Sequence, residues 1–349
     1  MWLIRLYLCH MAMSFNFLIR GVSTSLPLCY HGCMDTHGSH PVGGIDYPRT
    51  LQEFDEWFAS EEACLCYLET LRWPNGFVCP KCHSIKAWHM RSGIFRCVHC
   101  QHDASVIAGT IFQGTRKPLK LWFQAIWYVT SQKFGGSALG LKRILGLSSY
   151  QTAWSWLHKM RRAMVRPQRE PLCGNVEVDE TFIGGKDKGG KRGRGAGKKS
   201  IVVIALEILD PIGYGRVRMQ RIPDASGDSL IPFVFNSVAS GTTVTTDSWK
   251  GYNKLKQLGY IHSKINISDS GDPAHAHMPG VHRIASLLKR WLLGTHHGAV
   301  RPKHLDYYLD EYSFRFNRRK SSARGLLFYR LLSQAVCIAP VPYHDIINK

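Results

Sequence analysis

The sequence contains no long, uncharged apolar stretch. A helix that crosses a bilayer needs about 20 consecutive, mainly apolar residues, whereas the apolar N-terminal segment is interrupted by Arg5, Asn16 and Arg20. These interruptions exclude a membrane span there and argue against a secretory signal peptide. We interpret residues 1–33 as an upstream extension of the translation start, with Met34 or a nearby residue opening the folded protein.

Acidic residues are scarce. The 349 residues include 45 Lys and Arg but 25 Asp and Glu, which leaves a formal net charge of +20. A globular protein this basic usually contacts a polyanion, most often nucleic acid. The length allows two or three domains with a substantial core. Eleven cysteines in a chain of this size do not indicate a small secreted disulfide protein and fit a reducing cytoplasm.

Four cysteines have the spacing of a zinc ribbon. Cys79, Cys82, Cys97 and Cys100 form the pattern C-x2-C-x14-C-x2-C, which predicts one tetrahedral, structural Zn²⁺ held by four thiolates at about 2.3 Å. The alternatives are two disulfides or four reduced, buried thiols. A nearby histidine at position 83, 99 or 102 could also replace one cysteine ligand.

A helix-turn-helix pattern follows the cysteines. Pro118 suits the first turn of a helix over the segment LKLWFQAIWYV, and two further helices are predicted on either side of a tight turn at Gly146. The second of these would begin near Ser148 or Ser149. It would place residues for base edges and phosphates on one helix. The candidates are Gln151, Lys159, Arg161 and Arg162. An ordinary helical bundle with a basic face is the alternative.

Alternating strands and helices begin after Pro167. Strands are predicted over residues 175–183, 200–209, 215–222 and 242–247, with a helix over 228–239. The run from Ile201 to Leu206 is apolar on both faces, which predicts a sheet covered by helices on each side. The core is therefore of the α/β class. A glycine-rich basic loop lies between the first two strands and suits contact with phosphates, although a solvated hairpin tip is the alternative. Its basic candidates are Lys191, Arg192, Arg194, Lys198 and Lys199.

Two aspartates are placed at the ends of strands in this core. Asp179 is predicted to end the first strand and Asp247 the fourth. Adjacent strand ends would bring both carboxylates to one edge of the sheet, and their repulsion is relieved by a divalent cation, Mg²⁺ or Mn²⁺. Two such ions can activate a water or a 3′-hydroxyl and stabilise the leaving oxygen of a phosphodiester.

The chain as a whole resembles a known family. The cysteine knuckles, together with the segments VEVDETFIGG, TDSWKGY and HRIASLLKRWLLGTHHG, are similar to the bacterial insertion-sequence DDE transposases that carry an N-terminal zinc ribbon. The resemblance covers essentially residues 48–335. It implies an RNase H-like catalytic domain, that is, a mixed sheet flanked by helices. It also implies two-metal phosphoryl chemistry and an N-terminal part that holds the terminal inverted repeats of the element.

The resemblance also assigns roles to residues. Asp179 and Asp247 match the first two metal-binding acids, and the third position, on a late helix seven residues before a lysine, is His282. The family more often has Glu or Asn there, so this histidine departs from its pattern. Imidazole serves Mn²⁺ better than Mg²⁺. Lys289, two turns later on the same face, would contact a phosphate or the flanking DNA.

These observations together predict a transposase that cleaves the 3′ ends of its element and joins them to target DNA. Its partners would be the terminal inverted repeats, the target DNA and further copies of itself on DNA, with no membrane, and it would be cytoplasmic and nucleoid-associated. An inactive or domesticated zinc-dependent DNA-binding protein and another RNase H-like nuclease remain alternatives. The predicted division is residues 1–47 extension or arm, 48–115 zinc ribbon, 116–167 helix-turn-helix-like region, 168–337 catalytic domain and 338–349 tail.

Overall fold

The structure is a computed structural model that describes residues 40–166, 169–184, 199–211, 213–266, 277–298 and 300–348. The segment interpreted as an N-terminal extension, residues 1–33, lies outside the described residues. Within the described ranges, no helix combines the length and the apolar character that crossing a bilayer requires.

Two short helices and a small sheet form the N-terminal part. The helices are α1 (Leu51–Trp57) and α2 (Glu61–Arg72), and the strands are β1 (Ala87–Arg91), β2 (Ile94–Cys97) and β3 (Asp103–Ser105). Ser60 begins α2 by accepting a hydrogen bond from the Ala63 amide at 3.2 Å, which satisfies one free N–H of the first turn. The three strands pair antiparallel in chain order. Both helices agree with the sequence prediction.

The segment after β3 contains branched residues that favour a strand. Residues 106–109 and 111–114 nevertheless form turns. Gly109 adopts a φ of +75°, and Thr110 donates a hydrogen bond from its hydroxyl to the Ile107 carbonyl at 2.6 Å. Ile111 and Phe112 are buried in a helical core instead of a sheet. Tertiary packing therefore overrides strand propensity.

A helical layer follows the ribbon. It contains α3 (Leu119–Ser131), α4 (Ala138–Ile144) and α5 (Tyr150–Ala163). Gly146 turns the chain between α4 and α5 with a φ of +61°, a conformation that glycine adopts without steric cost. Trp156 of α5 stacks on Trp122 of α3 with ring centroids 3.9 Å apart. The two helices and the glycine turn are those predicted, and Trp156 is a core residue.

A five-stranded mixed sheet forms the centre of the second half. Its strands and helices are β4 (Asn175–Ile183), β5 (Ser200–Ile208), β6 (Tyr214–Ile222), α6 (Gly227–Ser237), β7 (Thr243–Asp247), β8 (Ile261–Ile265), α7 (Pro279–His296) and α8 (Leu305–Asn317). The strand order is β6-β5-β4-β7-β8. Strand β5 is antiparallel to both of its neighbours, β4 and β6, whereas β7 and β8 run parallel to β4. This is the mixed α/β, RNase H-like arrangement that the resemblance implied.

Strand β8 was not predicted. Its sequence IHSKI lies at the edge of the sheet, and Ile261 is 62 % exposed. An edge strand this short and polar carries no buried alternation that would distinguish it from a loop. The predicted first strand, residues 175–183, agrees with β4, but Asp179 lies in the middle of this strand instead of at its end, because β4 pairs with β5 along its whole length.

Helices cover both faces of the sheet. On one face, Val176 and Val178 of β4 pack in a core cluster with Leu230 and Phe233 of α6. On the other face, the alternate residues of β5, such as Ile204, pack against α7 and α8. Asp179 is directly opposite Ile204 in the antiparallel register, so its side chain lies on the α7 face. The predicted two-sided burial of β5 is confirmed.

Two C-terminal helices complete the fold, namely α9 (Arg324–Ala335) and α10 (Tyr343–Asn348). Phe328 of α9 packs on Phe54, Phe58 and Phe123 with centroid separations of 5.5, 5.7 and 5.8 Å. Helix α9 therefore joins the core of the N-terminal and helical parts, although it follows the sheet domain in sequence.

A buried ion-pair cluster connects α5 to α8. Glu311 is 1 % exposed, and its Oε2 accepts a hydrogen bond from Arg161 Nε at 2.7 Å. Its Oε1 accepts from Arg315 Nη2 at 2.8 Å. Arg161 was predicted to contact DNA, but its side chain is only 2 % exposed, so this prediction is wrong. The side chains of Arg161 and Glu311 are committed to fixing α5 against the sheet domain.

We expect Glu311→Gln to lower the free energy of unfolding by about 3–5 kcal/mol, because it leaves two arginines without their buried counter-charge. Chemical denaturation at pH 7 measures this loss. The matched control is Glu53→Gln, which removes a solvent-exposed pair with Arg49 and is expected to change the stability much less, because solvent screens exposed pairs. Equal effects of the two substitutions would contradict the prediction.

The same cluster predicts a pH dependence. Burial raises the pKa of Glu311, but Arg161 and Arg315 outweigh this effect and hold it at about 2, below the ordinary 4.5. A carboxylate whose pKa falls on folding stabilises the protein above its unfolded-state pKa. The stabilisation is therefore complete above about pH 4.5 and is lost as the pH falls toward 2.

Candidate active site and zinc site

The four cysteines of the ribbon converge. Their sulfur atoms all lie within 4.8 Å of one another, with 3.6 Å between Cys79 and Cys100 and 3.5 Å between Cys82 and Cys97. Four thiolates about 2.3 Å from one ion stand about 3.8 Å apart in a tetrahedron, so the arrangement fits Zn²⁺. Among the described residues, this cluster contains cysteines alone. No histidine replaces a ligand.

The two cysteine pairs have the same local backbone. The amide of His83 donates to the Cys79 carbonyl, and that of Gln101 donates to the Cys97 carbonyl, each at 3.0 Å. His83 and Gln101 adopt φ values of +59° and +58°. This left-handed turn after each pair is uncommon for residues with a side chain. The repeated turn aims both pairs at one centre.

Asp179 and Asp247 lie side by side on neighbouring parallel strands. The register pairs Asn175 with Thr243 and Glu177 with Thr245, and its continuation by two residues aligns Asp179 with Asp247. Neighbouring strands are about 4.8 Å apart. Asp179 is in the middle of β4 and Asp247 is the last residue of β7, so both residues stand just beyond the last residues that pair β4 with β7. The sequence predicted both aspartates at one edge of the sheet, and their role as metal ligands stays a prediction.

Tyr252 lies close to Asp179 and Asp247, which together we call the acidic site. Its hydroxyl donates to Glu180 Oε1 at 3.0 Å, and its ring belongs to the cluster on the α6 face. Burial raises the pKa of Tyr252 well above its ordinary value, and the negative charges of Glu180, Asp179 and Asp247 add to this shift. Glu180 therefore points to the face opposite Asp179, as the alternation along a strand requires.

His282 reaches the same site from α7. Its Nε2 lies 3.6 Å from Asp179 Oδ2. Glu177, two residues before Asp179 on the same face, accepts a hydrogen bond from the Val281 amide at 2.7 Å. This contact anchors the first turn of α7 to β4 and so determines where His282 stands. Sequence reasoning missed Glu177, because a buried glutamate in a strand signals a partner but does not identify it.

Lys289 lies on the same side of the sheet. Burial lowers the pKa of Lys289 and nearby Lys199 lowers it further, whereas the charge of Asp179 raises it. Both lysines and the aspartate are therefore close enough to interact. The Trp291 indole, two residues later, donates to the Phe134 carbonyl at 2.8 Å, which makes Trp291 a core residue that fixes α7 to the helical layer.

Comparison with known proteins gives the family. Residues 171–317 match the model of the ISXO2-like transposase domain, and residues 59–103 match that of a transposase zinc-ribbon domain. The chain therefore carries an ISXO2-like transposase domain preceded by a transposase zinc ribbon. It is 25 % identical over 276 residues to an "uncharacterized protein in transposable element ISH50" of Halobacterium salinarum, a match covering 74 % of this chain and 91 % of that protein. An uncharacterized transposase-like protein of Haemophilus influenzae is 26 % identical over 111 residues, which are 32 % of this chain and 89 % of that protein.

The predicted DNA contacts of this transposase fall into three groups. Gln151 is exposed in the first turn of α5, and Arg162 is 47 % exposed, 3.9 Å from Asp310. Lys159 is partly buried, and this burial lowers its pKa. Arg161 is buried, as described above. In the glycine-rich loop, only Lys199 is described, and four candidates lie outside the described residues: Lys191, Arg192, Arg194 and Lys198.

The side chains at the acidic site form a looser group than the cysteines. Among the described residues, the cysteine cluster is the one set of three or more metal-ligand side chains whose donor atoms all lie within 4.8 Å. Asp179, Asp247 and His282 are therefore spread more widely than ligands of a single ion. Asp247 Oδ1 also accepts a hydrogen bond from the Trp249 amide at 3.1 Å, which orients this carboxylate at the end of β7.

Proposed function

We propose that this transposase binds the terminal inverted repeats of its element and catalyses divalent-metal-dependent 3′-end cleavage and strand transfer. The observation that carries the proposal is the alignment of Asp179 with Asp247, with His282 3.6 Å from Asp179. Carboxylates on rigid strands, joined by a side chain from an anchored helix, form a preorganised set of metal ligands.

Mg²⁺ or Mn²⁺ suits these ligands, because carboxylate oxygens are hard donors and one imidazole shifts the preference toward Mn²⁺. When bound, a pair of ions about 3.5–4 Å apart supplies charge for the attacking and leaving oxygens of a phosphodiester. The spread of the three side chains agrees with two ions better than with one. Asp179 and Asp247 would hold the ions, His282 would complete the set, and Lys289 would contact a phosphate.

The other parts of the chain have supporting roles in this proposal. The ribbon within residues 48–115 is held by structural Zn²⁺, and residues 116–167 read the repeats through Gln151, Lys159 and Arg162. Residues 168–337 carry the chemistry, and the basic loop within 186–199 contacts phosphates. Two ends must be cut and joined together, so we propose that several copies assemble on DNA, in the cytoplasm at the nucleoid.

The proposal is tested with purified full-length protein and a labelled duplex that carries the inverted repeats flanking its reading frame. The two are incubated together with Mn²⁺ or Mg²⁺. Nicking at the repeat end followed by joining to a plasmid is the expected result. Binding without nicking would instead indicate a DNA-binding protein that performs no chemistry. Cleavage of branched DNA without preference for the repeats would indicate a junction-type nuclease.

His282→Ala is expected to reduce cleavage and to change the ratio of activity in Mn²⁺ to that in Mg²⁺, because it removes the one nitrogen donor. His282→Glu, which restores an oxygen donor, is expected to recover activity with Mg²⁺. Cleavage rates measured over a titration of each metal test both expectations. The control is His297→Asn at the exposed end of α7. An unchanged metal preference in His282→Ala would rule out His282 as a ligand.

A further inference from the structure

Arginines line a continuous groove between the end of α5, strand β6, helices α8 and α9, and the C-terminal residues 338–348, which add the carboxylate of Asp345. We call it the arginine groove, and its members are Arg162, Arg166, Arg169, Arg216, Arg218, Arg318 and Arg330. Its two connected parts have volumes of about 880 and 220 Å³. No lysine is among its described lining residues. The guanidinium group is the cation whose planar donors match phosphate oxygens in pairs.

The positive charge of the groove is only partly compensated by the protein. Glu207 accepts hydrogen bonds from three donors of Arg216, namely Nη2 at 2.6 Å, the backbone amide at 2.8 Å and Nε at 3.0 Å, and Glu170 Oε2 lies 3.3 Å from Arg216 Nη1. Arg218, which is 5 % exposed, donates to the Glu170 carbonyl at 2.7 Å. Within the described part of the chain, neither Arg218 nor Arg318 forms an ion pair with a carboxylate.

The pKa shifts of the buried arginines also indicate that the positive charge of the groove is only partly compensated. Burial lowers the pKa of Arg218 to about 10, with further lowering by the charges of Arg169 and Arg216. Burial likewise lowers the pKa of Arg318 to about 10, and Arg330, Arg166 and Arg169 lower it further. Like charges gathered this closely repel one another, and an anion placed between them relieves the repulsion.

The groove is not part of the acidic site. Arg218 is opposite Ala205 in the register of β5 and β6, and Ala205 is opposite Val178. These residues face α6. Asp179 is the next residue of β4, so its side chain points to the other face of the sheet. The arginines of β6 therefore line the groove from the face of the sheet opposite Asp179.

The groove begins where the proposed DNA-reading helix ends. Arg162 is in the last turn of α5, and Arg166 follows that helix on an exposed surface. A duplex lying on the exposed face of α5 would continue its backbone into the groove. The volume exceeds what one phosphate occupies, which favours a run of phosphates over a single small anion.

We propose that the arginine groove binds the phosphodiester backbone of the DNA held by α5, at a stretch remote from the scissile bond. The inference rests on the proposed function, since it assumes that α5 contacts the element end. Under this proposal, the arginine groove makes a sequence-independent contact with DNA. Cleavage at the acidic site and anchoring in the groove then use different surfaces of the protein.

The test uses the full-length double variant Arg166→Gln, Arg330→Gln and a labelled repeat-end duplex, without added Mg²⁺ or Mn²⁺. Loss of two charge-assisted phosphate contacts is expected to weaken binding at least about tenfold. The slope of log K against log salt is expected to become shallower by about 2. Hydroxyl-radical footprinting is expected to show lost protection away from the cleavage position, with protection at that position retained.

The matched control is Arg324→Gln, an exposed arginine on the same helix as Arg330 that does not line the groove. It is expected to bind DNA within about twofold of the unsubstituted protein, because isolated surface charges contribute little. Thermal denaturation with and without pyrophosphate distinguishes a free anion as the ligand. Pyrophosphate stabilisation that the double variant loses, together with unchanged DNA affinity, would overturn the DNA assignment.

The experiments distinguish an incorrect groove proposal from an incorrect proposed function. If the double variant binds and is footprinted like the unsubstituted protein while Asp179→Asn abolishes cleavage, the groove proposal is wrong and the transposase proposal stands. If the double variant loses the remote footprint but no variant or unsubstituted protein nicks the repeat ends, the groove assignment stands without the proposed chemistry.

Discussion

Asp179→Asn and Asp247→Asn are each expected to lower the rate of strand cleavage by about a thousandfold or more, and to leave binding of the repeat end unchanged. Each substitution keeps the shape of the side chain but removes a negative charge that would hold a divalent ion. An ion in such a site supplies several kcal/mol of charge stabilisation in the transition state, and each 1.4 kcal/mol corresponds to about tenfold in rate.

The two rates are measured on a labelled repeat-end duplex at saturating protein, and the affinities on the same duplex without added metal. Asp306→Asn is a matched control, because Asp306 is half exposed on α8 and 3.6 Å from Arg221, outside the acidic site. Cleavage retained in either site variant would refute the assignment of that aspartate. Loss of binding together with cleavage would point to a structural role instead.

Removal of zinc is expected to unfold the ribbon and leave the sheet domain intact. Structural zinc sites contribute about 10–16 kcal/mol of apparent binding free energy, and β1 to β3 contain only 5, 4 and 3 residues. The buried hydrophobic side chains within residues 77–105 are those of Cys79, Phe95, Cys97 and Ala104 alone. The sheet has its own core clusters on both faces, so its stability does not depend on the metal.

Metal analysis of the purified chain is expected to find one zinc per chain. Hydrogen exchange before and after chelation is expected to show lost protection over residues 77–105 and retained protection in β4 and β5. Cys82→Ser should reproduce the effect of chelation, whereas Cys173→Ser, at an exposed cysteine outside the ribbon, should not. A chain without bound zinc, or unchanged exchange after chelation, would contradict the prediction.

The elements that the sequence predicted well have local signals. Ser60 and Ser149 each accept a backbone hydrogen bond at the start of a helix, and the run from Ile201 to Leu206 is apolar enough to require burial on both faces. The cysteine spacing is likewise a local property of the chain. Each of these features is determined by residues within one element, so a pattern could reveal it.

The errors concern residues whose environment comes from distant parts of the chain. Arg161 has the sequence position of a DNA-contacting residue, but Glu311, 150 positions later, accepts its Nε–H deep in the interior. The segment 105–112 has strand propensity, but its apolar side chains pack against helices such as α9. Strand β8 has no pattern of its own and exists because the edge of β7 offers it hydrogen bonds.

The sequence by itself determined which residues are the candidates for metal binding and chemistry: the four cysteines with zinc-ligand spacing and the two aspartates, in a basic chain with few acids. Only the tertiary structure decided how these residues stand relative to one another. Parallel pairing of β4 with β7 aligns Asp179 with Asp247, and the bond from Glu177 to the start of α7 brings His282 to them. The tertiary structure also decided the burial of Arg161 and the gathering of seven arginines in the arginine groove. Contacts between residues far apart in sequence depend on packing that no local pattern records.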